Sequence, residues 1–145
     1  MTKISHKKTN LKDGVGIIFW ADGSKYEGQF RNDKMHGKGR KIYSNGEYYL
    51  GEFGNDMANG NGTFRDINGG RYEGDWKDDK QHGIGKEIWK HGAETYDGVF
   101  VQGMKHGKGK FSWSDGSYYE GDFEDGVFHG VGMYYFKESE KTYNG

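Results

Sequence analysis

The sequence predicts an all-β fold, a single-layer curved antiparallel β-meander. Three observations predict it: a 23-residue unit recurs along nearly the whole chain, glycines hold fixed places in each unit, and no helical periodicity appears. Segments opening at Tyr26, Tyr49, Tyr72, Tyr96 and Tyr119 read Tyr-x-Gly-x-(Phe/Trp): YEGQF, YLGEF, YEGDW, YDGVF and YEGDF. Eleven and thirteen residues after each Tyr stand two more glycines, from Gly37 and Gly39 to Gly130 and Gly132. Twenty residues after it comes a turn glycine, Gly46, Gly69, Gly92 or Gly116, which only the fifth unit lacks. Such a period signals a stacked array, whose function resides on a surface rather than in one central pocket.

The elements follow in order. The polar stretch 1–12 is expected as an N-terminal cap or arm, since arrays need atypical polar ends. Gly14, Gly16 and Gly23 fit the same grid, so 13–25 is the second half of a degenerate unit, and the array is expected to run over 13–145. In each full unit the Tyr-x-Gly-x-Phe/Trp segment alternates with period two, as a short half-buried strand does. It runs into a turn-prone pair: Asn32-Asp33, Asn55-Asp56, Asp78-Asp79, Gln102-Gly103 or Asp125-Gly126. A second strand carries Gly-x-Gly and then large residues, as in Phe111 and Trp113, and ends at pairs such as Asn45-Gly46 or Asp115-Gly116. Asn-Gly and Asp-Gly suit tight hairpin turns with positive φ at both central residues. Tyr143-Asn144-Gly145 opens a partial sixth unit at 143–145.

Parity separates two faces. Tyr96, Gly98 and Phe100 point one way, and Gly107, Gly109, Phe111 and Trp113 join them if parity continues through the hairpin. Equivalent places hold Ile18 and Trp20, Tyr43, Phe64, Trp89, and Tyr134 with Phe136. A ring can lie across a neighbouring glycine, which has no side chain to obstruct it. The opposite face carries acids on first strands (Glu27, Glu52, Glu73, Asp75, Asp97, Glu120, Asp122) against bases on second strands. Cross-strand pairs of this kind contribute a few tenths to about 1 kcal/mol each.

Composition excludes several classes. Aliphatic residues are sparse, but 17% of the chain is aromatic and the formal net charge is −1, so the apolar content is delivered by rings. The absence of cysteine rules out disulfides and thiolate chemistry and fits a reducing, cytoplasmic compartment. No signal peptide or transmembrane segment is visible, and the charge balance argues against nucleic acid.

The pattern closely resembles the MORN (membrane occupation and recognition nexus) repeat over about 13–145. The matching residues are Tyr72-Glu73-Gly74-Asp75-Trp76, His82-Gly83-Ile84-Gly85 and turns such as Asp115-Gly116. The chain departs at Asn59, which replaces the His, at Leu50, at an extra residue between Gly92 and Tyr96, and at 137–142. The resemblance implies a curved sheet that binds a protein segment along a groove, in cytoskeletal, ciliary or membrane-junction assemblies, or appended to lipid kinases or methyltransferases.

His36, His82, His106 and His129 form one column. Residues one unit apart lie roughly 10 Å apart along a sheet, so adjacent members cannot share a metal ion, whose ligands sit about 2 Å from it. Each His is expected to hydrogen-bond the turn of its own hairpin. Every acid and His is a copy of its neighbour's, whereas a catalytic constellation is singular, so no catalytic residue, metal or cofactor is assigned.

The expected function is a non-catalytic scaffold that binds a helical or extended protein segment in a ring-lined groove: Trp20, Tyr26, Phe30, Tyr43, Tyr49, Phe53, Tyr72, Trp76, Trp89, Tyr96, Phe100, Trp113, Tyr119, Phe123 and Phe136. One alternative is recruitment to anionic phospholipid at the membrane periphery through Lys38, Arg40, Lys86, Lys108 and Lys110, against which the interleaved acids argue. The other is a regulatory array of a larger enzyme. Homo-oligomerisation stays open.

Overall fold

The computed structural model describes residues 3–4, 13–137 and 141–144, so nearly all of the expected polar cap lies outside the described residues. The strands are β1 (Lys3–Ile4), β2 (Asp13–Trp20), β3 (Lys25–Arg31), β4 (Lys34–Ile42), β5 (Tyr48–Gly54), β6 (Met57–Arg65), β7 (Arg71–Lys77), β8 (Lys80–Ile88), β9 (Thr95–Val101), β10 (Met104–Ser112), β11 (Tyr118–Glu124), β12 (Val127–Phe136) and β13 (Lys141–Asn144). They form an open antiparallel meander whose strand order follows the chain. Eleven of them, β2 to β12, span seven residues or more. A 3-10 turn at Lys90–Gly92 accommodates the extra residue before Tyr96, with Trp89 N–H donating to the Glu94 carbonyl at 2.8 Å.

Two compact units divide the chain, residues 1–67 with 76–79 and residues 68–75 with 80–145. In the first unit β3 and β4 pair Glu27 with Arg40 and Gly28 with Gly39, then slip: Phe30 lies opposite Met35. Gly28 to Phe30 is two steps and Met35 to Gly39 is four, so the second strand carries two extra residues. In the second unit the same slip separates Gly98 opposite Gly109 from Phe100 opposite Lys105, and it recurs between β11 and β12. This bulge, one per hairpin, organises everything around it.

The two glycines of Gly-x-Gly consequently do different work. A Cβ on Gly109 would run into the ring of Tyr96, and one on Gly85 into that of Tyr72, as the ring-over-glycine argument expects. The first glycine departs from that expectation. Gly107 has φ +70° and Gly83 φ +100°, a left-handed conformation that L side chains rarely adopt, and an added Cβ would meet Val99 or Asp75 rather than a tyrosine ring. It shapes the bulge instead of seating a ring.

The turns also reverse the expectation. Asn32 and Asp33 have φ of 51° and 66°, Asp78 and Asp79 of 48° and 69°, the double positive φ of a two-residue hairpin turn. Asp22-Gly23, Asn45-Gly46 and Asp115-Gly116 are three-residue loops in which only glycine is left-handed: Gly23 N–H donates to the Trp20 carbonyl at 3.0 Å and Trp20 N–H to the Ser24 carbonyl at 2.9 Å. Asp22 accepts from the Ser24 hydroxyl at 2.6 Å and the Ser24 N–H at 2.9 Å, and these bonds hold its carboxyl below the usual carboxylate range.

Candidate functional site: a ring-lined face

Register gathers the rings onto one face: Tyr26 lies opposite Ile18 and Lys41, and Phe111 lies opposite both Tyr96 and Tyr119. Tyr26 and Tyr96 each lie between two phenylalanines, edge to face, and Tyr49 between Phe53 and Trp76. Tyr26 meets Phe30 at 5.2 Å and Phe53 at 5.0 Å between centroids, and Tyr96 meets Phe100 at 5.1 Å and Phe123 at 4.9 Å. Ring edges directed at ring faces satisfy the quadrupole and contribute about 0.5–1.5 kcal/mol per pair beyond area burial. Every repeat tyrosine also donates its hydroxyl to the carbonyl three residues on, which the bulge removes from regular pairing: Tyr26 to Gln29 at 2.7 Å, Tyr72 to Asp75 at 2.8 Å, Tyr96 to Val99 at 2.9 Å. Burial pushes the Tyr96 phenol up to about 12 and raises those of Tyr26, Tyr49 and Tyr72 as well.

This tier is core rather than open groove. Tyr26, Phe30, Tyr49, Phe53, Tyr72, Tyr96, Phe100, Tyr119 and Phe123 are all buried, as is most of Trp20. Of the rings expected to line a groove, Tyr43, Trp76, Trp89 and Trp113 are half-buried and Phe136 is 41% exposed. Trp76 is fixed by its Nε1–H, which donates to the Gly62 carbonyl at 3.0 Å, and by an edge contact with Tyr49 at 5.1 Å.

In the unit of residues 68–75 and 80–145 the accessible rings form a second tier. Trp89 packs on Phe111 at 5.5 Å, Phe111 on Trp113 at 4.9 Å, Trp113 on Phe128 at 6.1 Å, Phe128 on Tyr134 at 5.6 Å and Tyr134 on Phe136 at 5.9 Å. Phe128 also stacks on Tyr119 at 4.3 Å. Phe111 and Tyr134 were on the predicted face but outside the predicted groove. Phe128 carried no signal, because the equivalent places hold Met35, Ala58, Gln81 and Lys105. Lys105 lies among the rings, its Nζ 5.0 Å from the Trp89 centroid and 3.8 Å from a Glu87 carboxylate oxygen. In the other unit Lys41 sits 5.0 Å from Trp20 and 5.1 Å from Tyr43.

The opposite face holds the cations considered for lipid. Arg40 donates to Glu27 at 2.6 Å and Lys108 pairs with Asp122 at 2.5 Å. Lys110 covers the Tyr118 ring at 4.2 Å, Lys86 lies opposite Asp97, and Lys38 opposite Glu52. Some of the expected ladder acids also serve the bulge. The side chain three residues after the repeat tyrosine folds over the left-handed glycine and accepts a backbone N–H: Gln29 from Lys38 at 2.6 Å, Glu52 from Asn61 at 2.7 Å, Asp75 from Ile84 at 3.1 Å and Asp122 from Val131 at 3.4 Å.

Turn residues link consecutive hairpins, a role absent from the sequence reading. Asp56 Oδ1 accepts from Met35 N–H at 2.8 Å while Asp56 N–H donates to the Met35 carbonyl at 3.1 Å, and Asp79 repeats this with Ala58. The histidine column does related work. His82 Nδ1 accepts from Gln102 N–H at 3.3 Å, in the turn of the following hairpin rather than its own, and Asn59 and Asp13 accept likewise from Asp78 and Asn32. His129 instead reaches Glu124 within its own hairpin at 3.1 Å. A pocket of about 320 Å³ lies among Arg31, Asn32, Lys34, His36 and Asn55. Among the described residues no group of three His, Cys, Asp or Glu side chains is placed to hold a metal ion.

Repeated hairpins, one ring-bearing face and an opposite face with paired charges define a β-repeat module. The chain belongs to the MORN repeat family, whose model matches residues 9–25, 26–48, 49–71, 72–93, 96–118 and 119–139. A search of curated proteins returned no match. MORN repeats are generally non-catalytic, engage proteins or membrane lipids and are often membrane-associated. No described helix is long and apolar enough to cross a membrane.

Proposed function

We propose that the chain is a non-catalytic scaffold that captures a helical or extended protein segment on its ring face, within a cytoskeletal, ciliary or membrane-associated assembly. The observation that carries this reading is the second tier Trp89, Phe111, Trp113, Phe128, Tyr134 and Phe136, six contiguous rings left partly open above a buried tyrosine–phenylalanine ladder. Rings held rigid from beneath lose little entropy when a partner covers them, which is what interface anchors require. Lipid recruitment is the weaker reading, because polybasic attraction needs uncompensated charge and Arg40 and Lys108 are already paired.

The test begins with capture of a partner from native-cell extract, identification by mass spectrometry, and direct titration of that purified partner. Trp113→Ala should weaken binding at least tenfold, with a melting curve recorded beside each titration, whereas Lys108→Glu with Lys110→Glu should change it less than threefold. Salt-sensitive binding to anionic vesicles that survives loss of Trp89 and Trp113 would reject the scaffold reading.

A further inference from the structure

Four hairpins close their bulge with their own side-chain oxygen: Gln29, Glu52, Asp75 and Asp122 each lie over the left-handed glycine and accept the N–H of the next residue, at 2.6 to 3.4 Å. The hairpin of β9 and β10 carries Val99 at that place, which has no polar atom to offer. Its glycine is the same, Gly107 at φ +70°, and within 4 Å of an added Cβ there stands only the Val99 side chain. The residue whose N–H the other hairpins cap is here Lys108, whose ammonium pairs with Asp122.

The surroundings of this notch differ too. Ile84 pairs directly with Val99 and is 61% exposed; Val101 pairs with Met104, and both are exposed. These four aliphatic side chains share the face opposite the rings by strand parity. The equivalents of Val101 in the other full units are Arg31, Gly54, Lys77 and Glu124, so an apolar side chain stands at Val101 where three of those units carry a charge and one a glycine.

We propose that this patch is a second docking surface, and that its occupant is an extended partner segment carrying a carboxylate between aliphatic residues. The carboxylate lies over Gly107 and accepts the Lys108 N–H, while the aliphatic neighbours cover Ile84, Val99, Val101 and Met104. The ligand chemistry is the one the chain itself uses in three of the other four hairpins, where carboxylates of Glu52, Asp75 and Asp122 fill the same position, the fourth using the Gln29 amide oxygen. A charge-assisted hydrogen bond from a backbone N–H to a carboxylate, with aliphatic contacts beside it, gives both strength and register.

The experiment uses the full chain labelled with nitrogen-15 and a capped peptide, acetyl-Ser-Ile-Asp-Val-Ser-amide, with its Asn counterpart as control. The Lys108 amide proton is expected to move downfield saturably with the Asp peptide and to bind the Asn peptide at least tenfold more weakly. Val99→Asp supplies the cap internally, so its Lys108 amide should lie downfield before any peptide is added and should lose the response tenfold or more. Ile84→Lys, which installs the residue type of Lys38, should weaken the peptide severalfold, and it decides the matter together with the Asn peptide if Val99→Asp does not fold. Trp113→Ala should leave this binding unchanged, which separates it from the ring face. Equal binding of the two peptides, or an unaltered response in Val99→Asp or Ile84→Lys, would overturn the proposal.

Discussion

The Tyr96 hydroxyl donates to the Val99 carbonyl 2.9 Å away, three residues further along its own strand. To get there the side chain runs across Gly98 and Gly109, and a Cβ on either would meet the tyrosine hydroxyl or ring. Tyrosine, two glycines and a bulge therefore form one device, repeated in every full unit. The hydroxyl satisfies a carbonyl that the bulge leaves out of the ladder, and the ring covers backbone that would otherwise face solvent.

Tyr96→Phe tests that bond while preserving the ring. Removing one partner of a buried hydrogen bond costs about 1–3 kcal/mol. Urea unfolding should show the loss in the midpoint with the slope unchanged. No loss would mean that water satisfies the Val99 carbonyl equally well.

Glycine substitution probes the seat of the ring. Gly109→Val or Gly85→Val forces a branched side chain into a tyrosine ring. A loss of about 1–3 kcal/mol is expected, comparable to overpacking a core. Lys86→Gln, on the exposed face, should stay within about 0.5 kcal/mol. Thermal melts that ranked these the other way would contradict the face assignment.

Asp79→Gly isolates the link between consecutive hairpins. It keeps the left-handed turn and the bond from residue 79 N–H to the Ala58 carbonyl, and removes only the carboxylate that accepts Ala58 N–H at 2.7 Å. Gly103 and Gly126 show that glycine supports the same backbone link, to the carbonyls of Gln81 and Lys105. The expected cost is about 1 kcal/mol, the ordinary net value of one hydrogen bond.

Alkaline stability should fall early. Burial raises the Tyr96 phenol to about 12, and Tyr26, Tyr49 and Tyr72 are raised by the same cause. An unfolded tyrosine titrates near 10. Below pH 10 both states hold the proton and the stabilisation is fully present. Above it the unfolded chain releases protons the native chain keeps, so stability falls with rising pH until the native phenols also titrate. Melting temperatures between pH 8 and 12 should drop steeply past pH 10, and Tyr96→Phe should flatten the drop. A flat profile would mean the hydroxyls are open to water.

Much of the architecture was legible because it is written in period. Alternation over two residues gave the strands, and the 23-residue spacing gave the array. The glycine columns, Gly98 beside Gly109, gave the ring-bearing face. The turns were read with their roles exchanged, because Asp and Asn serve both kinds of loop and only the backbone count between paired strands tells them apart. Asp122 is the ladder charge the sequence suggested, paired with Lys108, but its second role as a bulge cap, shared with Asp75, stayed hidden because a cap and a cross-strand partner are the same residue type at the same parity.

The sequence by itself determined the meander, the repeat and the face of the rings at the repeat positions, since these depend only on chemical type and on spacing along one chain. Tertiary structure decided which rings are core and which remain open. Tyr96 and Trp113 lie on the same face, yet one is buried between Phe100 and Phe123 while the other stays partly exposed in the second tier. That difference arises from strand pairing, which sets Phe123 of the neighbouring hairpin opposite Gly107 and against the Tyr96 ring. Pairing is a relation between distant residues that no local pattern specifies.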